Sequence, residues 1–517
     1  MLCFWKIFPK RKLLLEIFTT FAFKTQEFME KNALLSHEIV MASSDKATNN
    51  FISKMKKEGR IVKIAAKIYT TNLNDKPENI IRRNLFFILG ELYPDAVMSH
   101  RSAFECRPTN DGHIYLTYSY TKKVSLPGIT IHLLEGQKAL PNDHPFMGGL
   151  HMSCSARAYL ENLQTGYSRD GISKCLPQDA IEEKLDKVLQ TNGEDELNKL
   201  RDTAREIAEP LNMTDEYRKL DSIIGAILST KPSKILTSSV AEARALGEPF
   251  DSHRLHLFNI LMAALNGHEF ENMPEPNETE AAYQNFAFFE SYFSNYIEGT
   301  EFEVEDARRI IETRTPMPAR SADSHDVLGT YHIVSNKKEM AITPTSADHL
   351  LDILQHRHHI MMSARPEASP GLFKTQNNHA GETHFVNFQQ VRGTLKKGFE
   401  VYTALHHPFA RAIFMLFMIS EVHPFTDGNG RISRIMMNAE LTAAGQSKII
   451  IPTVFRTDYL AALRQLTRKE NPEKIINAIK RVRLFSNKLR GEDFEAMRSY
   501  MERCNAFKEE DDYILIF

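Results

Sequence analysis

At 517 residues the chain is too long for one compact core, and roughly three domains are expected. Hydrophobic residues at 42% and charged residues at 25% are ordinary for a soluble globular protein, and a formal net charge of −2 excludes a chain-wide attraction to nucleic acid, leaving only local basic patches. Five scattered cysteines (Cys3, Cys106, Cys154, Cys175, Cys504) with no Cys-x-x-Cys pair argue against a disulfide framework or a zinc site and for a reducing compartment, so a cytoplasmic protein is expected.

Met1 to Phe23 is apolar and carries Lys6, Lys10, Arg11 and Lys12. It resembles a signal peptide only superficially, because Glu16 interrupts the run, no small-x-small cleavage site follows, and the run is too short to span a bilayer. Residues 1–35 read as a packing helix or an over-extended start. Ser43-Ser44-Asp45 then offers an N-cap to a helix over Ala47–Glu58, where Phe51, Ile52 and Met55 recur at helical spacing and Gly59 ends the run. Ile61, Ile64 and Ile68-Tyr69 continue as a hairpin. Lys46, Lys54, Lys56, Lys57, Arg60, Lys63 and Lys67 crowd the segment against Asp45 and Glu58, as in a winged helix touching phosphates, although a solvated amphipathic helix has the same charge pattern.

Downstream, Val97, Ile114 to Leu116 and Ile129 to Leu133 are strand candidates, with turns at Asn110-Asp111-Gly112 and Pro127-Gly128. The order Lys57-Glu58-Gly59-Arg60-Ile61, Ala96 to Ala103, Gly112 to Leu116, Leu126-Pro127-Gly128-Ile129 is similar to the AbiEi-like antitoxin-type transcriptional regulators. That resemblance implies a winged helix over 36–72 ahead of a small α/β domain over 73–212, with Lys54, Lys56, Lys57 and Arg60 as DNA phosphate contacts, which position a protein without reading sequence. Pro177 to Asn212 is helical and charged. Residues 213–276 read as a helical linker whose Gly-, Pro- and acid-rich end, Asn266 to Pro276, marks the main boundary.

In the next region, 277–345, the run Ser294-Asn295-Tyr296-Ile297-Glu298-Gly299 stacks Ser294 and Glu298 on one helical face and places Gly299 to end the helix. Pro370 to Gln376 and Glu382 to Val386 flank a polar turn, Asn377 to Gly381, and read as a β-hairpin. His356-Arg357-His358-His359 has no carboxylate or cysteine at ligand spacing and is not read as a metal site. His407-Pro408-Phe409 reads as a helix start.

The most informative stretch is His423-Pro424-Phe425-Thr426-Asp427-Gly428-Asn429-Gly430-Arg431-Ile432-Ser433-Arg434, which joins two apolar helical runs, Ile413 to Ile419 and Ile435 to Leu441. Asp427 is a hard oxygen ligand suited to Mg²⁺ carried on substrate phosphates. Gly428-Asn429-Gly430 opens a helix whose backbone N–H groups can converge on an anion. Arg431 and Arg434, three apart, project from that helix's first turn as two guanidinium forks for a polyphosphate. His423 stands beside them, where a neutral imidazole removes a proton from a hydroxyl.

Every fixed position of His-Pro-Phe-x-Asp-Gly-Asn-Gly-Arg-x-x-Arg is filled, and the stretch resembles the signature of the Fic (Fido) family. The resemblance covers about residues 284 to 490 and implies an all-α core over 346–490 with a C-terminal tail, 491–517. It implies a protein adenylyltransferase that passes AMP from ATP·Mg²⁺ to a Tyr, Thr or Ser hydroxyl of a protein. His423 would be the base and Asp427 the metal ligand. Gly428, Asn429 and Gly430 would hold the α-phosphate, Arg431 the β-phosphate and Arg434 the γ-phosphate. Ser294, Glu298 and Gly299 match the family's [Ser/Thr]-x-x-x-Glu-[Gly/Asn] inhibitory element, so Glu298 would hold Arg434 in cis through a bidentate fork. The hairpin would be the flap that docks the target by strand addition, with Phe373, Lys374 and Phe385 as its contacts. Lys374 replaces a common Arg and Leu416 a common His. The expected fold is therefore multidomain α+β: an all-α Fic core with a β-hairpin flap, preceded by a winged-helix and a small α/β domain. Two other functions share these residues: transfer or removal of another phosphate-containing group, and a DNA-binding regulator whose Fic half senses nucleotide.

Overall fold

The computed structural model describes residues 37–165, 173–228, 234–509 and 513–517, so the expected helix over 1–35 lies outside the described residues. The chain divides into two compact units, one within Met1–Ser229 and Ser233–Ser238, the other within Ser239–Phe517. The division lies upstream of Asn266–Pro276. Leu257, Phe258, Leu261 and Leu265 of the Ser252–Gly267 helix are fully buried in the second core, so the expected linker helix is part of that unit. Among the described residues no helix is long and apolar enough to cross a membrane.

The first unit begins with strand β1 (Ile39–Met41), the Lys46–Lys57 helix, and a hairpin of β2 (Val62–Ala65) and β3 (Ile68–Thr70), which form a three-stranded antiparallel sheet in the order β1-β3-β2. Asp45 caps the helix by accepting the Thr48 N–H at 2.6 Å, and Gly59, at φ +69°, supplies the left-handed turn that ends it. A six-stranded mixed sheet follows, from β4 (Val97–Met98), β5 (His113–Tyr118), β6 (Lys122–Leu126), β7 (Ile129–Glu135), β8 (His144–Pro145) and β9 (His151–Met152), in the order β6-β7-β5-β4-β9-β8. Central strands β5 and β7 run parallel with Ile114 opposite Ile131 and Leu116 opposite Leu133, all buried beneath the Leu85–Leu92 helix. Three longer helices, Gln178–Asn192, Glu194–Ala208 and Thr214–Leu228, complete the unit.

The second unit is helical. Its centre is the Pro408–Val422 helix, apolar on every side and buried accordingly, packed against the Asn429–Ala443 helix. Around this pair stand Glu280–Ile297, Ser321–Val334, Ala347–Met362, Val391–Tyr402, Arg456–Lys469 and Glu473–Ser486. The 491–517 tail is no appendage, since Met497, Met501, Cys504 and Leu515 enter the same core.

A short hairpin lies among these helices. Strand β10 (His379–Ala380) pairs with β11 (Thr383–His384), Ala380 opposite Thr383. The sequence placed both arms further out, from Pro370 and to Val386. The first arm does not pair because Gly371 takes φ +79° and the Lys374 N–H is drawn to the Pro424 carbonyl at 2.9 Å, away from the hairpin.

Candidate active site

The twelve signature residues form the turn between the two central helices. His423 closes the first helix as a left-handed C-cap at φ +52°, a conformation that lifts its ring out of the helix. Its Nδ1 lies 3.2 Å from the Ser420 carbonyl, which can only accept, so the proton sits on Nδ1 and Nε2 keeps a free lone pair. Phe385, just past the hairpin, stacks on the imidazole at 3.7 Å and 3°. Burial holds the imidazole down at about 4, and the nearby Lys374 ammonium pushes the same way. His423 is therefore neutral at physiological pH, as a base must be.

Asn429 braces the turn from within. Its Oδ1 accepts the Phe425 N–H at 2.8 Å and its Nδ2 donates to the Phe425 carbonyl at 2.9 Å. The side chain is buried, and through these two bonds it shapes the loop. Asn378 adds a second bond to the Phe425 carbonyl at 3.0 Å. Asp427 Oδ1 accepts the Gly428 N–H at 2.6 Å, which takes that amide out of the anion-binding set. The Asp427 side chain is 60% exposed, so one carboxylate is presented to the open side. Among the described residues no cluster of three or more His, Cys, Asp or Glu forms a complete metal site. A lone carboxylate nevertheless fits Mg²⁺ delivered on phosphates, which needs only one or two protein carboxylates.

Gly428 (φ +76°) caps the second helix, whose first internal bond runs from the Ile432 N–H to the Gly428 carbonyl at 3.0 Å. The Asn429, Gly430 and Arg431 N–H groups precede that bond and form the positive end of the helix. The Glu298 carboxylate lies over them: a Cβ added at Gly430 would sit 2.1 Å from Glu298 Oε1. Arg434 Nη2 donates to the same Oε1 at 2.7 Å, while Arg434 Nε reaches Ser294 Oγ at 3.0 Å and Nη2 the Ser294 carbonyl at 2.8 Å. Because Ser294 takes these donors, the Glu298–Arg434 contact is single and not the bidentate fork expected. Burial opposes charge on Arg434, but the adjacent Glu298 keeps the guanidinium protonated. Glu298 is the C-cap of the Glu280–Ile297 helix and Gly299, at φ +88°, turns the chain away. One turn further along the signature helix, Asn438 Nδ2 donates to Glu290 Oε1 at 2.9 Å, which fastens the body of the Glu280–Ile297 helix in place.

Arg431 has protein partners of its own. Its Nη1 lies 3.0 Å from Asp326 Oδ2 and donates to Asn295 Oδ1 at 3.3 Å, and the residue is buried. Asp326 is shared with Arg365, which grips both carboxylate oxygens at 2.8 and 2.7 Å. The guanidinium is thus paired with Asp326 on one side, while its Nη2 lies 4.0 Å from Asp427 Oδ2 on the other.

His423, Glu298, Gly430, Arg434, Tyr459 and the hairpin residues Ala380 to Thr383 line one open cavity of about 600 Å³. Arg254 holds the hairpin by donating to the His384 carbonyl at 2.6 Å, and pairs with the buried Glu421 at 2.8 Å. Of the expected flap contacts, Phe385 covers the base, and Phe373 packs on Phe425 with centroids 5.3 Å apart. Lys374 is 4% exposed: its Nζ donates to Asn378 Oδ1 at 2.6 Å, and burial, helped by Arg254, pushes it down to about 7. It props the turn and is not available to a docking partner. The basic residues Lys54, Lys56, Lys57 and Arg60 belong to the first unit and are all exposed there, Lys54 lying 3.9 Å from Glu58.

Residues 345–441 match the Fic/DOC family. That segment, which holds the signature turn and both central helices, is what the chain shares with the family. Protein adenylyltransferase Fic from Drosophila willistoni is 29% identical over 229 residues, which are 42% of this chain and 43% of that protein. Protein adenylyltransferase Fic from Nematostella vectensis is 30% identical over 226 residues, 42% of this chain and 49% of that protein. The chain thus spans about half the length of the curated relatives it matches. Among solved structures, Fic-1 from C. elegans aligns at 16% identity and a TM-score of 0.33, covering 63% of this chain and 98% of that one. Three contributors to the Fic site were not singled out from sequence: Asp326, Asn378 and His358. Their signature-turn partners, Arg431 and Phe425, are 105 and 47 positions away, so the sequence around Asp326 and Asn378 does not point to them. His358 lay in a histidine run considered only for metal.

Proposed function

We propose that the Fic domain is a protein adenylyltransferase, moving AMP from ATP to a Tyr, Thr or Ser hydroxyl, and that Glu298 restrains it in cis. The carrying observation is the position of one carboxylate: Glu298 lies on Arg434 at 2.7 Å and against Gly430 at the helix N-terminus, in the cavity that also holds His423. Positive helix ends and buried guanidinium groups are the natural seat of a phosphate. Glu298 occupies that seat as an internal anion.

With Glu298 displaced, Arg434 and the Asn429, Gly430 and Arg431 N–H groups receive the polyphosphate. His423 Nε2 takes the hydroxyl proton as the oxygen attacks the α-phosphorus. The bond to the bridging oxygen breaks and pyrophosphate leaves. Mg²⁺, held through Asp427, would neutralise phosphate charge. Positioning and fixed electrostatics supply most of the rate in such transfers. The hairpin, with its short paired edge, is the place for a target segment to add as a strand. Holding an enzyme 99% inactive takes only about 2.7 kcal/mol, so one displaced carboxylate suffices as a switch.

Mass spectrometry of the Glu298→Gly protein after incubation with ATP and Mg²⁺ tests the reading. A gain of one AMP on protein, absent in the Glu298→Gly, His423→Ala double variant, is expected; the same gain in both would refute the base. DNA contact through the exposed Lys54, Lys56, Lys57 and Arg60 is a separate proposal, supported by their shared exposure and checked by gel shift. A cytoplasmic setting is a further proposal, resting only on the scattered cysteines of the sequence.

A further inference from the structure

His358, on the Ala347–Met362 helix, is fully buried and touches the signature turn at two points and Gly371 at a third. Its Nδ1 accepts the Gly371 N–H at 2.9 Å. A backbone N–H can only donate, so the ring proton is on Nε2, which lies 3.0 Å from the Asp427 carbonyl and donates to it. The ring lies flat on Phe425, with centroids 3.7 Å apart and planes 1° from parallel. One turn earlier on the same helix, Gln355 Nε2 donates to the Gly371 carbonyl at 2.9 Å, so both polar groups of Gly371 are held by this helix. Gly371 begins the segment that runs to Lys374, whose N–H bonds the Pro424 carbonyl at 2.9 Å.

Asp427 combines the carboxylate offered to Mg²⁺ with a backbone that leads directly into the anion-binding N–H groups. Fixing its carbonyl therefore aims both. We propose that His358 is a positioning residue for nucleotidyl transfer, tying the root of the flap segment at Gly371 to the carbonyl of Asp427 and thereby aiming the phosphate- and metal-binding turn. The inference rests on the adenylyltransferase reading above, but it concerns binding geometry that can be measured without turnover.

The test uses the full chain carrying Glu298→Gly. Adding His358→Phe keeps a ring against Phe425 and removes both hydrogen bonds; adding His358→Gln restores an amide donor within reach of the Asp427 carbonyl. Three quantities are compared: amide exchange over residues 370–376 and 426–431, ATP affinity in Mg²⁺ and in chelator, and the Mg²⁺ dependence of transfer. In His358→Phe both peptides should exchange faster, and Mg²⁺-dependent ATP affinity should fall by roughly 10–100-fold, the usual effect of removing a hydrogen-bond partner behind a metal ligand. Affinity in chelator should change far less, and His358→Gln should recover part of the loss. Faster exchange confined to 370–376, or an unchanged Mg²⁺ dependence in a variant with the parent's Tm, overturns the proposal. If His358→Phe does not fold, His358→Asn replaces it, since its shorter amide reaches Gly371 but not Asp427, and the same loss is expected. A parent that binds Mg·ATP yet transfers nothing defeats the adenylyltransferase reading, while exchange and affinity still decide the role of His358.

Discussion

Arg431 and Arg434 sit on consecutive positions of one helical face, yet the two sides of the signature helix treat them differently. On one side Arg431 is closed in by Asp326, a buried carboxylate that Arg365 also grips at 2.7 Å. On the other, Arg434 meets Glu298, whose side chain is 36% exposed and is the last side chain before a glycine turn. The first pair is locked from several directions and cannot open without disturbing the fold. The second can open by moving one side chain at a helix end, because Glu290 and Asn438 hold the rest of that helix. The two ion pairs thus differ in how many other groups depend on the anion.

The sharpest break of the comparison lies in the chemistry that the opened side allows. In the Glu298→Gly background, His423→Ala should reduce transfer by about 10²–10⁴-fold, the usual contribution of a positioned base, with ATP affinity unchanged. Initial rates and equilibrium titration separate these. The next effect is on stability. Asp326→Ala should lower the free energy of unfolding by about 3–5 kcal/mol, since it strands buried Arg431. Glu298→Ala should cost clearly less, because Glu298 is partly exposed and Arg434 keeps both Ser294 contacts. Denaturant melts of the two variants would collapse the distinction if the losses were equal. The smallest effect is in pH. A base is competent when deprotonated, and burial lowers the His423 value to about 4, so transfer should be flat as pH falls from 7 to 5 and decline only near 4. An acid limb near 6.5, the ordinary imidazole value, would place His423 in solvent and contradict the stacked geometry.

Much of this was legible beforehand, and what was missed has a common physical cause. The signature residues are local, so their spacing alone put His423, Asp427, Gly430 and Arg434 at one turn. Ser294 and Glu298 were readable because a helix stacks positions four apart. The phosphate role expected of Asn429 and the docking role expected of Lys374 follow from the family resemblance, whereas the turn itself has buried carbonyls and N–H groups that require partners. Arg431 was assigned to a phosphate because Asp326 is far off in sequence. The flap was placed in the right segment but drawn too long, since nothing local says that Lys374 bonds Pro424 instead of a strand.

The account turns on one competition, between the Glu298 carboxylate and a triphosphate for Arg434 and the helix N-terminus. Its most direct test incubates wild-type and Glu298→Gly protein with ATP labelled at either the α- or the γ-phosphate. The prediction is strong protein labelling from the α-position in Glu298→Gly, little in wild type, and none from the γ-position in either. Equal α-labelling of the two proteins, or label arriving from the γ-phosphate, would contradict it.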